Sequence, residues 1–569
     1  MRPFLVTEAQ AGKLPRWGVL LLTLLYVIPG FVGRDPWRHD DAAGFGVALT
    51  MARGTAHDWL VPNIAGVAVP EEGPFPFWFA ALLARLLPIV SEHAATRGAA
   101  ASGIVLLLVG FWYATYELLK RPGLMPSDPF GAAASRIDFG RAIADCALLI
   151  LMATLGVIAR LHETTTQAAQ LMLYALFLYG VAIALRRPLV GGLIAGLMIG
   201  ASVATRGLLP ASMMLVCVSL LPLVSAPYRL VATRWITTSV LVALCAGAAW
   251  PIALASAGPQ AQAHLTAWLA WNAAQLSGIG MDGLLYLART LPWYFWPAWP
   301  MAIWAVLRWR GRLGEPAVAL PLLSLATAGI AALLTIESRE KDLLSLSLPL
   351  AMLAAVGLPT LARSLISLID WFSVMTFSVI GFAVWAYWGA LLTGFPPKMA
   401  RSAERIAPGF DPGPILFDLV LGLAATVAWV LLVRWRVSRQ PPMIWRAVVL
   451  SSSGLVLAWF LLMTLWLPAF NARNTYRQIA IAVATKLPEQ YDCIEAPDLG
   501  RAQRATLYYF ARLRFGEPGR QCDWLLRQDT GPLARTKATG EPGWRLVWDG
   551  SRPRDDDERL RLLSRIMKR

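Results

Sequence analysis

The sequence predicts an all-α polytopic membrane protein with a small α/β domain at its C-terminal end. Of 569 residues, 57% are hydrophobic and 15% charged, and the mean hydropathy is +0.54. Apolar windows long enough to cross a bilayer recur from Trp17 almost to Leu467. A helix satisfies its own backbone hydrogen bonds in lipid, whereas a membrane barrel needs alternating strands of about ten residues, which this chain lacks.

Taken in order, Arg2, Lys13 and Arg16 precede the first apolar run, and no small-residue cleavage site ends it. It reads as a retained first helix over 17–33. Further spans are expected at 99–119, 141–160, 167–185, 188–204, 208–225, 236–256, 292–307, 316–336, 343–362, 371–393, 413–433 and 447–467, about thirteen helices in all. Residues 74–90 are apolar but bracketed by Pro74, Pro76 and Pro88, which suits an interfacial helix rather than a full span.

The net charge of +16 belongs to topology and anionic lipid, not nucleic acid, because its Lys and Arg are dispersed between apolar segments. With the N-terminus in the cytoplasm, Lys120/Arg121, Arg186/Arg187, Arg229/Arg234, Arg308–Arg312 and the Arg434–Arg446 group fall on the cytoplasmic side. Residues 34–98, 160–166, 206–207, 337–342 and the tail 468–569 then share the external, periplasmic face. The tail, with its amphipathic run Thr475–Leu487, reads as a folded α/β domain of about a hundred residues. Its end, 552–569, reads as a charged helix or a loose end. Cys493 and Cys522 are placed to pair there if the compartment is oxidising, while Cys146, Cys217 and Cys245 lie in apolar segments.

The chemistry-bearing stretch follows the first span: Asp35-Pro36-Trp37-Arg38-His39-Asp40-Asp41, then Asp58-Trp59-Leu60-Val61-Pro62, then Glu71-Glu72-Gly73-Pro74. Carboxylates held together at a membrane edge point to chemistry or transport. Asp40 and Asp41 open an amphipathic helix at 42–52, whose dipole favours anions; an N-cap role is the plainer alternative.

These three phrases, in this order, resemble the first external loop of membrane glycosyltransferases with the C-type fold (GT-C), such as the lipid A aminoarabinose transferases and protein O-mannosyltransferases. Thr205-Arg206-Gly207, Leu291-Pro292-Trp293 and 337–350 are weaker matches, and the resemblance spans roughly 17–360. It implies transfer of a sugar from a polyprenyl (undecaprenyl) phosphate donor to a lipid, glycan or protein acceptor, at the periplasmic face of a bacterial inner membrane. Asp40 sits where the family has its catalytic aspartate, Asp41 replaces a glutamate, and Glu71 matches the acid of the later phrase. The family's lysine and first proline are Glu72 and Gly73 here, and the aspartate expected after the third helix gives way to a turn containing His162 and Glu163.

Displacing a polyprenyl phosphate needs a base at the acceptor hydroxyl and cations at the leaving phosphate. Asp40 is the expected base, with Asp41, Glu71 or Glu163 orienting the acceptor. Arg206, Arg339 and Lys341 are the phosphate candidates. For Arg206 a snorkelling role is the alternative, and for Arg339 and Lys341 a helix-end salt bridge. His162 and Glu163 with Asp40 form one possible divalent-metal set. The rival class is a transporter of lipid-linked sugar or small solute, which would place ionisable groups near the bilayer midplane and show an internal repeat; here the acids gather at one face.

Overall fold

The computed structural model describes residues 6–12, 14–37, 39–124, 133–276, 281–335, 340–408, 410, 413, 415–438, 444–517, 519–536, 542–553, 555 and 557–566. Of Pro122, Lys341 and Arg363 it describes the backbone alone. The expected Arg339 lies outside the described residues, as does the side chain of Lys341.

The chain enters through α1 (Arg16–Val27) and then spreads over one face of the membrane domain. There α2 (Asp40–Arg53), the short α3 (Ala56–Leu60), the two-residue strands β1 (Asn63–Ile64) and β2 (Val67–Ala68), and α4 (Phe75–Leu86) form a compact platform. Helix α4 has 12 residues, too few to cross a hydrocarbon core that needs about 20; Pro74 before it and Leu87-Pro88 after it set its limits.

Helices α5 (Glu92–Leu119), α6 (Arg136–Ala153), α7 (Leu155–Leu161), α8 (Thr166–Ala184), α9 (Pro188–Arg206) and α10 (Leu208–Val224) build the first half of the bundle. Ser91, Ser135 and Thr165 each accept a backbone N–H at the start of α5, α6 and α8, satisfying donors a helix start leaves unpaired. The expected span 141–160 is bent by 76° between α6 and α7. Leu155 N–H donates to the Trp296 carbonyl at this break, so a neighbouring segment takes over bonding the helix gives up.

Next come the short α11 (Ala226–Arg229), then α12 (Ala232–Ser256), α13 (Pro259–Ala274), α14 (Met281–Tyr294), α15 (Ala298–Arg308) and α16 (Pro316–Leu334). Helices α9 and α12 meet along Gly192, Gly196 and Gly200, where a Cβ on Gly196 would stand 2.6 Å from the Ser239 carbonyl oxygen; small residues permit this approach in lipid. The expected span 292–307 is instead the end of α14 and the whole of α15, interrupted at 295–297, because Pro297 has no N–H to continue a helical ladder.

A 3₁₀ turn, Glu340–Leu346, leads into α17 (Ser347–Gly357), followed by α18 (Arg363–Thr393), α19 (Pro397–Ile406), α20 (Leu416–Ser438) and α21 (Arg446–Leu465). Among the described residues nine helices are long and apolar enough to cross a membrane, or ten with the bent α6–α7 pair, so this is a multi-span membrane protein. The expected first span is represented by the shorter α1, and the 208–225 span by α10, of 17 residues.

Helix α22 (Leu467–Asn474) leads to α23 (Arg477–Ala484), β3 (Ile494–Glu495), α24 (Arg501–Phe510), β4 (Trp524–Thr530), α25 (Pro532–Arg535), β5 (Trp544–Gly550) and β6 (Glu558–Arg565). The sheet order is β3-β4-β6-β5, parallel only at β3-β4. Tyr476, Ile479, Val483, Leu507, Leu526 and Leu562 fill its core, and Cys493 and Cys522 form a disulfide. The described part of 552–569 is not the expected charged helix or loose end. Residues 558–565 are an inner strand, because Leu560 and Leu562 alternate with Arg559 and Arg561 and bury their side chains. Helix α24 lies on α2, with Ala505 packed against Val47 and Gly46.

Candidate active site

Asp41 is the best-defined acid in the molecule. Only 3% exposed, its Oδ2 accepts from Arg34 Nη2 at 3.0 Å, Arg97 Nη2 at 2.7 Å and the Trp37 N–H at 3.3 Å. Its Oδ1 accepts from the Thr164 N–H at 2.8 Å. Burial opposes its ionisation, but Arg34, Arg97 and the Thr164 N–H outweigh it and hold the carboxyl well below the usual range. Arg34 also donates to the His162 carbonyl and Arg97 to the Gly30 carbonyl. The cluster thus ties the start of α2 to α5, to the end of α1 and to the turn after α7. With both carboxyl oxygens engaged, Asp41 is held fast between these elements.

Asp40, one residue earlier, points elsewhere, because successive helical positions are about 100° apart. It lines a cavity of about 240 Å³ together with His39, Glu72, Arg501 and Gln503. His39 enters α2 at φ 72°, a left-handed conformation uncommon for a non-glycine residue and often found beside functional groups. Arg501 reaches this cavity from α24, pairs with Glu71 and feels the charge of Asp40. Glu72, at the position where a lysine was expected from the resemblance, accepts a hydrogen bond from Thr166 Oγ1 on α8.

The turn after α7 supplies a second acid. Glu163 accepts from Arg160 at 3.0 Å, and Arg160 also donates to Glu340 at 3.0 Å. Burial pushes the Glu163 carboxyl up to about 7, against Arg160, and the charges of Asp41 and Asp40 act in the same upward sense. Its neighbour does not join it. The His162 ring is fully buried, with Nδ1 2.7 Å from the Ile158 carbonyl and Nε2 3.2 Å from that of Val27, and it packs against Phe31 and Trp459. The expected His162–Glu163–Asp40 metal set is therefore not assembled, and the described residues contain no group of three or more metal-ligating side chains.

Arg206 ends α9 and pairs with Asp342 at 3.3 Å, its guanidinium 5.6 Å from the Trp271 ring. It stands at a second cavity, between α8, α10 and α16, lined by Leu171, Met213, Ala328 and Ala332 among others. Gln167, Gln170 and Gln275 line the same space. Their side-chain amide nitrogens are buried without a hydrogen-bond partner among the described residues, an arrangement expected of donors that await an acceptor.

The two cavities adjoin. Thr166, bonded to Glu72 of the first, precedes Gln167 of the second. Gly73 fixes this junction: its N–H donates to the Thr205 carbonyl at 3.1 Å, and a Cβ there would stand 2.1 Å from the Ala204 oxygen. Proline could make neither contact, which accounts for the glycine in that phrase. Residues 34–73, 160–166, 205–206 and 340–342 thus meet at one face, as their distribution between spans implied. Sequence reasoning missed Arg34, Arg97 and Arg501; the first two were visible as lone cations flanking apolar spans.

The fold is that of the ArnT crystal structures. The crystal structure of ArnT from Cupriavidus metallidurans bound to undecaprenyl phosphate superposes with a TM-score of 0.67 at 16% identity, over 96% of this chain and 98% of that one. The apo state of the same protein gives 0.65 at 14% identity, over 96% and 97%. An Archaeoglobus fulgidus oligosaccharyltransferase gives 0.46 at 11% identity, over 88% of this chain and 63% of that one. No protein-family model matches the sequence, and no curated protein does.

Proposed function

From this fold and its paired cavities, we propose that the chain is a glycosyltransferase that moves a sugar from a polyprenyl phosphate onto an acceptor at the external face of a bacterial inner membrane. The observation that carries the reading is the junction at Thr166-Gln167, where an apolar cavity with unpartnered amide donors abuts an acidic one. The apolar cavity, open between helices, suits a prenyl chain. Arg206 and the amides of Gln167, Gln170 and Gln275 suit its phosphate, with Arg206 exchanging Asp342 for a phosphate oxygen. That an ArnT structure holds undecaprenyl phosphate supports a carrier of this class.

The acceptor hydroxyl occupies the cavity of Asp40. Its oxygen bonds to the anomeric carbon as the bond from that carbon to the phosphate oxygen breaks, so configuration inverts. The proton passes to Asp40, and the polyprenyl phosphate departs against the cations and amides. Glu72 shapes the acidic side of the cavity, while Arg501 presents donors to acceptor oxygens. Asp41 holds the start of α2, and therefore Asp40, in register with the turn at 160–166.

Mass spectrometry of the cell envelope with and without the chain tests this. A lipid, glycan or protein species that carries a sugar-sized mass increment only when the chain is present is expected. An unchanged envelope, together with sugar accumulating inside reconstituted vesicles without a covalent product, would replace transfer by transport.

A further inference from the structure

The far end of α5 carries a feature that glycosyl transfer does not use. From Arg97, in the Asp41 cluster, to Lys120 the helix rises about 35 Å, slightly more than the roughly 30 Å hydrocarbon core. Lys120 therefore stands at the opposite membrane face from Asp40. There the ends of α5 and α8 and the start of α6 form a wide, open groove of about 580 Å³ lined by Lys120, Arg121, Arg136 and Arg186, with Glu117 and Ile137.

Four cations share one lining carboxylate. Glu117 Oε1 takes Lys120 at 2.5 Å and Arg186 at 3.7 Å, while Arg121 and Arg136 carry no ion pair among the described residues. Burial pushes the Arg121 guanidinium down, Tyr228 and Glu117 oppose this, and Arg186 adds to it. Asp138, one turn into α6, is engaged with the Ser135 hydroxyl at 2.7 Å. An anion is missing from this arrangement.

The surroundings say what kind. Val105, Val109 and Tyr113, 42–47% exposed, stand four residues apart on α5 and make an apolar track leading up to Glu117 and Lys120. Trp112, Tyr113, Tyr116 and Tyr179 pack together beside it, an aromatic group of the sort that marks the headgroup level. Lys120 Nζ lies 4.8 Å from the centre of the Tyr116 ring. A soluble anion has no use for such a track; an acyl chain does.

We propose that this groove binds the phosphodiester headgroup of an anionic phospholipid in the leaflet opposite the transfer site, with an acyl chain along Val105, Val109 and Tyr113. Arg121 and Arg136 hold the phosphate, and Lys120 and Arg186 share it with Glu117.

The test uses the full chain in detergent, titrated with phosphatidylglycerol, phosphatidylethanolamine or sn-glycerol 3-phosphate, with bound molecules counted by native mass spectrometry. Phosphatidylglycerol should bind at least about tenfold tighter than phosphatidylethanolamine. Each lost cation should weaken it about fivefold, so Arg121→Gln with Arg136→Gln should weaken it about twenty-five-fold. Equal retention of the two lipids, or unchanged binding to the double variant, overturns the proposal. Glycerol phosphate binding as tightly as the lipid would make this a soluble-anion site and overturn it too. If the double variant does not fold, Arg136→Gln alone, at an exposed helix start, decides the matter by its fivefold step or the lack of one.

Discussion

Replacing Asp41 by asparagine separates positioning from chemistry at this site. Asparagine keeps the shape and one accepting oxygen, but it removes the negative charge between Arg34 and Arg97, both buried with it. If its oxygen stays with the guanidinium groups, its NH₂ faces the Thr164 N–H, donor against donor. Removing one partner of a buried ion pair costs about 3–5 kcal/mol, because the opposite charge stays buried without compensation. The shift in melting temperature per kcal/mol falls with chain length from about 2–4 °C at 150–250 residues. For a chain of this size it is about 1 °C, so Asp41→Asn should melt roughly 3–5 °C lower when followed by tryptophan fluorescence in nanodiscs. The acid limb gives a second readout. Because the folded carboxyl lies below its ordinary value, Asp41 stabilises fully above about pH 4. That contribution fades as the pH falls through the folded value, a fade the variant should lack. An Asp41→Asn protein that melts with the wild type but no longer transfers sugar would refute the clamp and put Asp41 in the chemistry.

Glu163, whose folded carboxyl is raised to about 7 from 4.5, favours the folded state fully below about pH 4.5, and its contribution is lost as pH rises to about 7; Glu163→Gln should flatten that part of the stability profile. Gly73→Ala places a Cβ against the Ala204 backbone oxygen, which cannot step aside, and should cost about 1–3 kcal/mol in a denaturation series. Arg501→Gln breaks a half-exposed pair with Glu71 and should change stability by less than about 1 kcal/mol, while raising KM for the acceptor. Replacing Cys493 and Cys522 by serine opens a loop with a sequence separation of 29 and should destabilise the C-terminal domain by about 3–4 kcal/mol, visible as earlier proteolysis of that domain.

Much of the scaffold was readable because membrane helices announce themselves by length and apolarity, and polar residues between them stand out. Breaks were harder to see. The 76° bend between α6 and α7 is stabilised by a carbonyl from a segment far along the chain, which no local window contains. The adjacent acids Asp40 and Asp41 could be found but not told apart. Their division of labour depends on Arg97, 56 residues from Asp41, and on which side of α2 meets α24. His162 looked like a ligand because it neighbours Glu163; the preceding helix turns its ring into the aromatic interior. The last strand was legible in its Arg-Leu alternation, yet its charge density reads as a solvated end until β4 and β5 flank it.

Transfer by purified protein in vesicles, supplied with a panel of radiolabelled polyprenyl-phosphate sugars and an envelope-lipid extract, is the most direct test of the role given to Asp40. Wild type should label an acceptor, and Asp40→Asn should slow labelling at least about a hundredfold while melting normally and still retaining the carrier lipid. Labelling by Asp40→Asn at the wild-type rate would contradict the account.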